Sequence, residues 1–370
     1  MNPRLRSIVI VGLLALATFL LYWPGVDAAA SAADHRALLS QVRTYPLFFR
    51  AADGSWLQPI PIYFLAILGV HAPVWMAVAD VVLIFLAAQC LLRQGWTAMV
   101  TALLLLLFPA HALLGQAAQD AIYPLPFVLA WLLCVLSFFD RPRSWLLFVG
   151  TLSLGVGVYT QQSAPITMAA FLIVTLAAAW IEGHRAPGVF AAALAGFAIP
   201  LLLMAPWFAM HPESYPDTMG AWTIHKAHLR FPLDGVRAFL NWNTLGARAS
   251  LYWDIYNPSF LLFRDDAGTF SEKPPMLLAL ALLAPIGLKR LLTTNRASIA
   301  CLLLAALAAA PLAAATFGER HAIHRALPMV AFLSLLGGLG VAELLESHRR
   351  PVRVAAALLL ASVPLQYFFI

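Results

Sequence analysis

Apolar residues fall in runs along nearly the whole chain, and short polar stretches separate the runs. Crossing the hydrocarbon layer takes about 20 consecutive apolar residues in a helix. Runs that meet or approach this length lie at 7–24, 74–92, 95–109, 119–139, 144–160, 164–181, 188–208, 275–291, 297–316, 323–344 and 353–369, of which the third is short. The pattern therefore predicts an all-α, polytopic integral membrane protein of about eleven transmembrane helices. The 59–70 stretch, "PIPIYFLAILGV", is too short to span and is expected at the interface. The first run follows Arg4 and Arg6 as a signal peptide would, but it lacks a convincing cleavage site before Pro24 and is read as an uncleaved first helix.

Composition agrees with the pattern. Of the 370 residues, 62% are hydrophobic and 11% charged, and mean hydropathy is +0.83; soluble domains carry roughly 25% charge. A single membrane domain over 1–370 accounts for the whole chain. Its outer loops 25–58 and 209–274 are expected to form the active-site face, the latter partly helical. The net charge of +6 does not point to nucleic acid, because no basic run with interleaved aromatics occurs. Cys90, Cys134 and Cys301 each sit within an apolar run, without the spacing of a disulfide framework or a metal site.

The cations orient the helices. With an inside N-terminus, inner segments carry Arg4 and Arg6, Arg93, Arg141 and Arg143, Arg185, Lys289, Arg290 and Arg296, then Arg349, Arg350 and Arg353. The short outer loops 110–118 and 161–163 carry no Lys or Arg, as the positive-inside rule requires. The C-terminus is then external, and 25–58, 209–274 and 317–325 lie on the outer face. No internal repeat appears and the apolar runs carry few acids, Asp80 and Glu343 being the main exceptions. Transporters usually place ionisable groups in mid-membrane, so a transporter is the weaker reading.

Candidate chemistry therefore gathers outside. The first outer loop holds Asp27, Asp34, His35 and Arg36, and "DHRALLSQVR" (34–43) reads as a short amphipathic helix. Asp34 can cap that helix or take a proton from an acceptor hydroxyl; both readings stand at this point. "GERHAIHR" (318–325) places His321 and His324 on one helix face, but with no clear third ligand a metal is not expected. Asp265–Asp266, followed by Gly268, Thr269 and Ser271, reads as a turn. Trp222, Trp242, Tyr252, Trp253 and Tyr256 can stack on a bound ring or form an interfacial aromatic belt.

Beyond the first loop, "YPLFFRAADGSWLQPIPIYFLAILG" (45–69), "LGVGVYTQQSAP" (154–165), "WDIYNPSFLLFRDDAGTFSEKPP" (253–275) and "HAIHRALPMVAFLSLLGGLG" (321–340) follow one another. In that order they resemble segments of the GT-C superfamily of membrane glycosyltransferases, among them the protein O-mannosyltransferases and lipid A aminoarabinose transferases of the glycosyltransferase family 39 type. Asp34 stands at the Asp of that family's Asp-Glu pair, with His35 in place of the Glu. Gln116 and Gln119 stand where many relatives have Arg.

The resemblance implies transfer of a sugar from a polyprenyl-phosphate donor to an acceptor at the outer, periplasmic face of a bacterial cytoplasmic membrane. The lipid-linked sugar is the co-substrate and no other cofactor is implied. Asp34 would be the base, with His35 beside it and Asp27 as the fallback. The leaving phosphate would be met by Arg264, Lys273, Arg320, His321, His324 and Arg325, since a partly dry site magnifies each cation's effect on developing charge. Each of these can equally be an interfacial side chain meeting lipid headgroups. Gln116, Gln119, Asp120, Tyr159 and Trp253 are assigned to the acceptor or sugar. The alternatives are a non-catalytic relative serving a larger complex through a protein partner and, less favoured, a transporter.

Overall fold

The computed structural model describes residues 3–26, 39–44, 46–51, 54–117, 120–212, 214, 242–263, 274–294 and 296–369. Among these the chain is helical almost throughout. Eight helices are long and apolar enough to cross a membrane, or nine if a bent pair counts as one span. All eleven predicted runs fall on helices; the two outside this count are shorter, Ser144–Gly157 with 14 residues and Leu278–Thr293 with 16.

Helix α1 (Pro3–Tyr22) runs into a single 3-10 turn at Trp23–Gly25. Residues 39–42 are helical, the described part of the predicted amphipathic segment. The Gln41 side chain donates to the Arg50 carbonyl at 2.8 Å and accepts from the Arg50 amide at 3.1 Å. It thereby satisfies the open edge of a two-residue hairpin, β1 (Phe49–Arg50) against β2 (Trp56–Leu57), with Phe49 opposite Leu57.

Helix α2 (Pro59–Leu68) and helix α3 (Ala72–Leu92) are joined by a 3-10 turn at Gly69–His71. Together they form an apolar unit of 34 residues, longer than the hydrocarbon layer needs.

The short run at 95–109 is resolved differently from the prediction. Helix α4 (Gly95–Leu106) stops ahead of Pro109, and α5 (Pro109–Gln116) starts at an angle of 61° to it. A proline disfavours helical geometry in the residue before it, so the break sits where the sequence demands one. The expected outer loop 110–118 is thus largely a helix, and its His111 is fully buried.

Helices α6 (Pro124–Asp140), α7 (Ser144–Gly157), α8 (Ala164–Ile181), α9 (Pro187–Leu201) and α10 (Met204–Met210) follow. Beyond them come α11 (Trp242–Ile255), α12 (Pro258–Leu262), α13 (Leu278–Thr293), α14 (Ala297–Ala309) and α15 (Leu312–Phe317), then α16 (Pro328–Glu346) and α17 (Arg350–Phe369).

Helix α16 is the axis of the bundle: 78% of its span is buried, against 17% for α1 and 11% for α17, which lie at its periphery. It reaches that position through "GGLG" (337–340). A Cβ at Gly340 would run into the Leu283 carbonyl of α13, and one at Gly287 into the Leu336 carbonyl, so the two backbones touch. Small residues at a crossing permit this approach where lipid offers no hydrophobic drive.

Charged and amide side chains collect at one end of the bundle. There Arg93 and Arg296 both reach Asp140 (3.1 and 3.3 Å), and Arg290 reaches Glu343 and Glu346 (3.3 and 2.8 Å). Gln94 donates to Glu346 at 3.2 Å, and Ser298 donates to Glu182. Every one of these residues belongs to, or borders, a segment that the cation distribution places inside.

Candidate functional site

The opposite end carries a cavity of about 420 Å³. Five segments build it: the start of α2, the turn from α2 into α3, the start of α6, the turn between α7 and α8, and the turn between α15 and α16. One wall is apolar, formed by Pro61, Ile62, Leu65, Val70 and Pro73; the other carries Gln58, Asp120, Gln161, Gln162, His324 and Arg325. All five segments lie at helix ends that the cation distribution places outside.

Local hydrogen bonds hold the polar wall. Past the end of α7 the chain turns, with the Thr160 hydroxyl donating to the Gly157 carbonyl at 2.6 Å. Ser163 then donates to Gln161 Oε1 at 2.9 Å, which leaves the Gln161 amide hydrogens for the Asp120 carboxyl, to which its side chain bonds. Gln162 donates to the Trp56 carbonyl at 3.0 Å and so ties this turn to the hairpin. Ile60 N–H donates to the Tyr159 carbonyl at 3.2 Å and ties it to α2 as well.

The basic side chains are fixed by an acid. After Gly318, whose φ of +74° ends α15 in the left-handed region, Glu319 turns back on the residues that follow it. Arg325 donates to both Glu319 oxygens, Nε to Oε2 at 2.8 Å and Nη2 to Oε1 at 2.6 Å, a fork-to-fork pair. His324 Nε2 lies 3.2 Å from Oε2. The hydrogen bonds from His324 and Arg325 hold the Glu319 carboxyl down at about 2. The guanidinium also lies 4.3 Å over the Phe317 ring. Glu319 does not line the cavity, whereas His324 and Arg325 do, so the acid grips them from the rim.

Of the residues chosen from the sequence, Asp120, His324 and Arg325 meet in this cavity. Tyr159 borders it through its backbone, but its hydroxyl donates to the Pro200 carbonyl at 2.6 Å, a packing bond. Four others lie away from it. Arg320 pairs with Asp254 at 3.1 Å, and His321 stacks on Phe260 at 4.3 Å with ring planes 6° apart. Trp253 is exposed beside Tyr252 and Tyr256, and the Gln116 side chain packs onto Gly25. Asp27, Asp34, His35, Gln119, Arg264 and Lys273 lie outside the described residues. Gln58, Gln161, Gln162 and Glu319 were not singled out from the sequence. The adjacent amides of "TQQS", alone between two apolar runs, were the available signal. No group of three or more His, Cys, Asp or Glu among the described residues is placed to hold a metal ion.

No family model matches the sequence, and no curated protein matches it. The structure is similar to the archaeal oligosaccharyltransferase AglB from Archaeoglobus fulgidus, solved in complex with an inhibitory peptide and a dolichol-phosphate, with a TM-score of 0.56 and 14% identity. The likeness covers 98% of this chain and 54% of that one, so the chain spans about half the length of the protein it resembles. At this identity the likeness carries the fold alone.

Proposed function

We propose that the chain transfers a sugar from a polyprenyl phosphate to an acceptor at the outer face of a bacterial cytoplasmic membrane. The observation that carries this reading is the two-sided cavity. A lipid-linked sugar phosphate has an apolar chain and an anionic, hydroxyl-rich head. The α2 wall offers aliphatic surface to the first, and the Asp120–His324–Arg325 wall offers hydrogen bonds and positive charge to the second. A volume of about 420 Å³ lies in the range of small-ligand sites, roughly 300–1,000 Å³.

In this reading Asp34 takes the proton of the acceptor hydroxyl as its oxygen bonds to the anomeric carbon from the side opposite the phosphate. The bond from that carbon to the phosphate oxygen breaks, and the polyprenyl phosphate leaves with the electron pair. Arg325 and His324, set by Glu319, stabilise the charge it carries away. The sugar inverts. His35 adjoins the base in sequence and Asp27 is the fallback base, Arg264 and Lys273 are further cations for the phosphate, and Gln119 is assigned with Asp120 to the acceptor or sugar.

The test is a transfer and donor-hydrolysis assay on the purified protein with a panel of polyprenyl-phosphate sugars. Release of polyprenyl phosphate from at least one donor is expected. Inactivity across the panel by a folded protein would overturn the enzymatic reading in favour of a scaffold in a larger complex.

A further inference from the structure

Gln58 lines the cavity, is 8% exposed, and its Oε1 has no hydrogen-bond partner. A buried amide oxygen without a donor is destabilising, so its local role was sought first. Gln58 occupies the N-cap position of α2, where a side chain ordinarily accepts from the first-turn amides, yet it makes no such bond. The sequence explains why. Pro59 and Pro61 have no N–H to offer, and the Ile60 N–H is taken by the Tyr159 carbonyl. The helix start is satisfied without Gln58, and the amide is left to the cavity.

We propose that Gln58 is a sugar-recognition residue: its Oε1 accepts a hydrogen bond from a hydroxyl of the transferred sugar. The inference rests on the donor reading above. The chemistry of the wall selects this ligand class. The phosphate presents acceptors alone and matches Arg325 and His324, whereas an orphaned acceptor needs a donor. A sugar ring hydroxyl supplies one, and its own oxygen can still accept from a neighbouring amide such as Gln162. A site built to bond a hydroxyl rejects an analogue lacking it, because the buried acceptor then stays unpaired.

Binding of farnesyl phosphate and of glucosyl-, mannosyl- and arabinosyl-phosphoryl farnesol to the detergent-purified protein tests the proposal, together with thermal melting. Wild type should bind at least one sugar-bearing probe more tightly than bare farnesyl phosphate. Gln58→Met, close in shape but without the amide, should lose about tenfold on that probe, the worth of one hydrogen bond, and nothing on farnesyl phosphate. Gln58→Glu, which keeps an acceptor oxygen, should retain the sugar preference. The Gln58→Met protein should melt no lower than wild type, because an unpaired buried atom has been removed. A Gln58→Met protein that melts several degrees lower or fails to fold assigns Gln58 to packing and overturns the proposal. So does unchanged binding of the sugar-bearing probe. If wild type binds no farnesyl probe at all, the donor reading falls and takes this assignment with it. Intact wild-type binding with an unaffected variant removes the assignment alone.

Discussion

His111 lies 3.3 Å from Asp80 in the middle of the bundle, and neither side chain is exposed to solvent. The other imidazole nitrogen, Nδ1, is 2.9 Å from the Tyr22 hydroxyl, which itself donates to the Leu106 carbonyl at 2.6 Å. Because the Tyr22 proton is committed to Leu106, Nδ1 is the donor in that contact. Leu106 is the last residue of α4, where the bend frees carbonyls that the helix no longer satisfies. The network thus fastens α1 and α3 to the kink.

Asp80→Leu should therefore cost about 1–3 kcal/mol, leaving His111 Nε2 buried without a partner. Asp80→Asn, whose amide can donate to the same nitrogen, should cost under about 1 kcal/mol. Thermal or denaturant unfolding of the two variants in one detergent decides. Equal damage from both would mean that the carboxylate charge, rather than the hydrogen bond, holds the site.

Asp34 lies outside the described residues, and its substitution separates two roles. As the base, Asp34→Asn should lower turnover by roughly 10²–10⁴-fold with donor binding intact. As an N-cap it should be mild, since Asn caps about as well as Asp. An active Asp34→Asn beside a dead Asp27→Asn would move the base to Asp27.

The Glu319 carboxyl, held at about 2, carries a pH signature. Its folded value lies below the ordinary 4.5, so its stabilising effect is complete above that ordinary value and is lost as pH falls toward the folded one. The melting difference between wild type and Glu319→Gln should be constant from pH 6 to 8 and shrink below about pH 4.5. Because the side chain is 43% exposed, added salt should shrink it too. If Glu319 positions Arg325 and His324 for the phosphate, the same variant should weaken farnesyl phosphate binding at neutral pH. Unaltered binding would confine Glu319 to stability.

Two glycines should respond in opposite ways to one methyl group. Gly340→Ala forces α16 away from the Leu283 carbonyl and should destabilise by about 1–3 kcal/mol. Gly12 of α1 has nothing within 4 Å of the same position, so Gly12→Ala should be neutral or stabilising by up to about 1 kcal/mol. Comparable melting of the two variants would contradict the close α13–α16 crossing.

How much of this could be read from the sequence differs by scale. Apolar length found every helix among the described residues that is long enough to span, because lipid leaves the backbone no other solution. The cation rule placed Gln58, Asp120, Gln161 and Arg325 on one side of the membrane before any of them could be seen together. What escaped was local. Pro109 marks a break, but nothing in the run tells that the chain beyond it continues as a buried helix rather than a loop. Arg320 and Arg325 look alike in "GERHAIHR", yet one pairs with Asp254 away from the cavity and the other enters it. The direction of the backbone at His321, with φ at +56°, separates them. Gln58 is a lone amide in an apolar stretch, and its lack of a capping partner depends on a carbonyl from residue 159.

The ion pairs at the far end from the cavity have a consequence for how the chain is made. Arg296 with Asp140, Gln94 with Glu346 and Ser298 with Glu182 each join the first half of the sequence to the second, across 156, 252 and 116 residues. Asp140 has a partner in the first half, Arg93, whereas the partner of Glu182, Ser298, is supplied by the second. The first half therefore depends on α14, α16 and the residues beside them for part of its polar contacts at that end. These three contacts therefore cannot form before residues 296–346 have been synthesised.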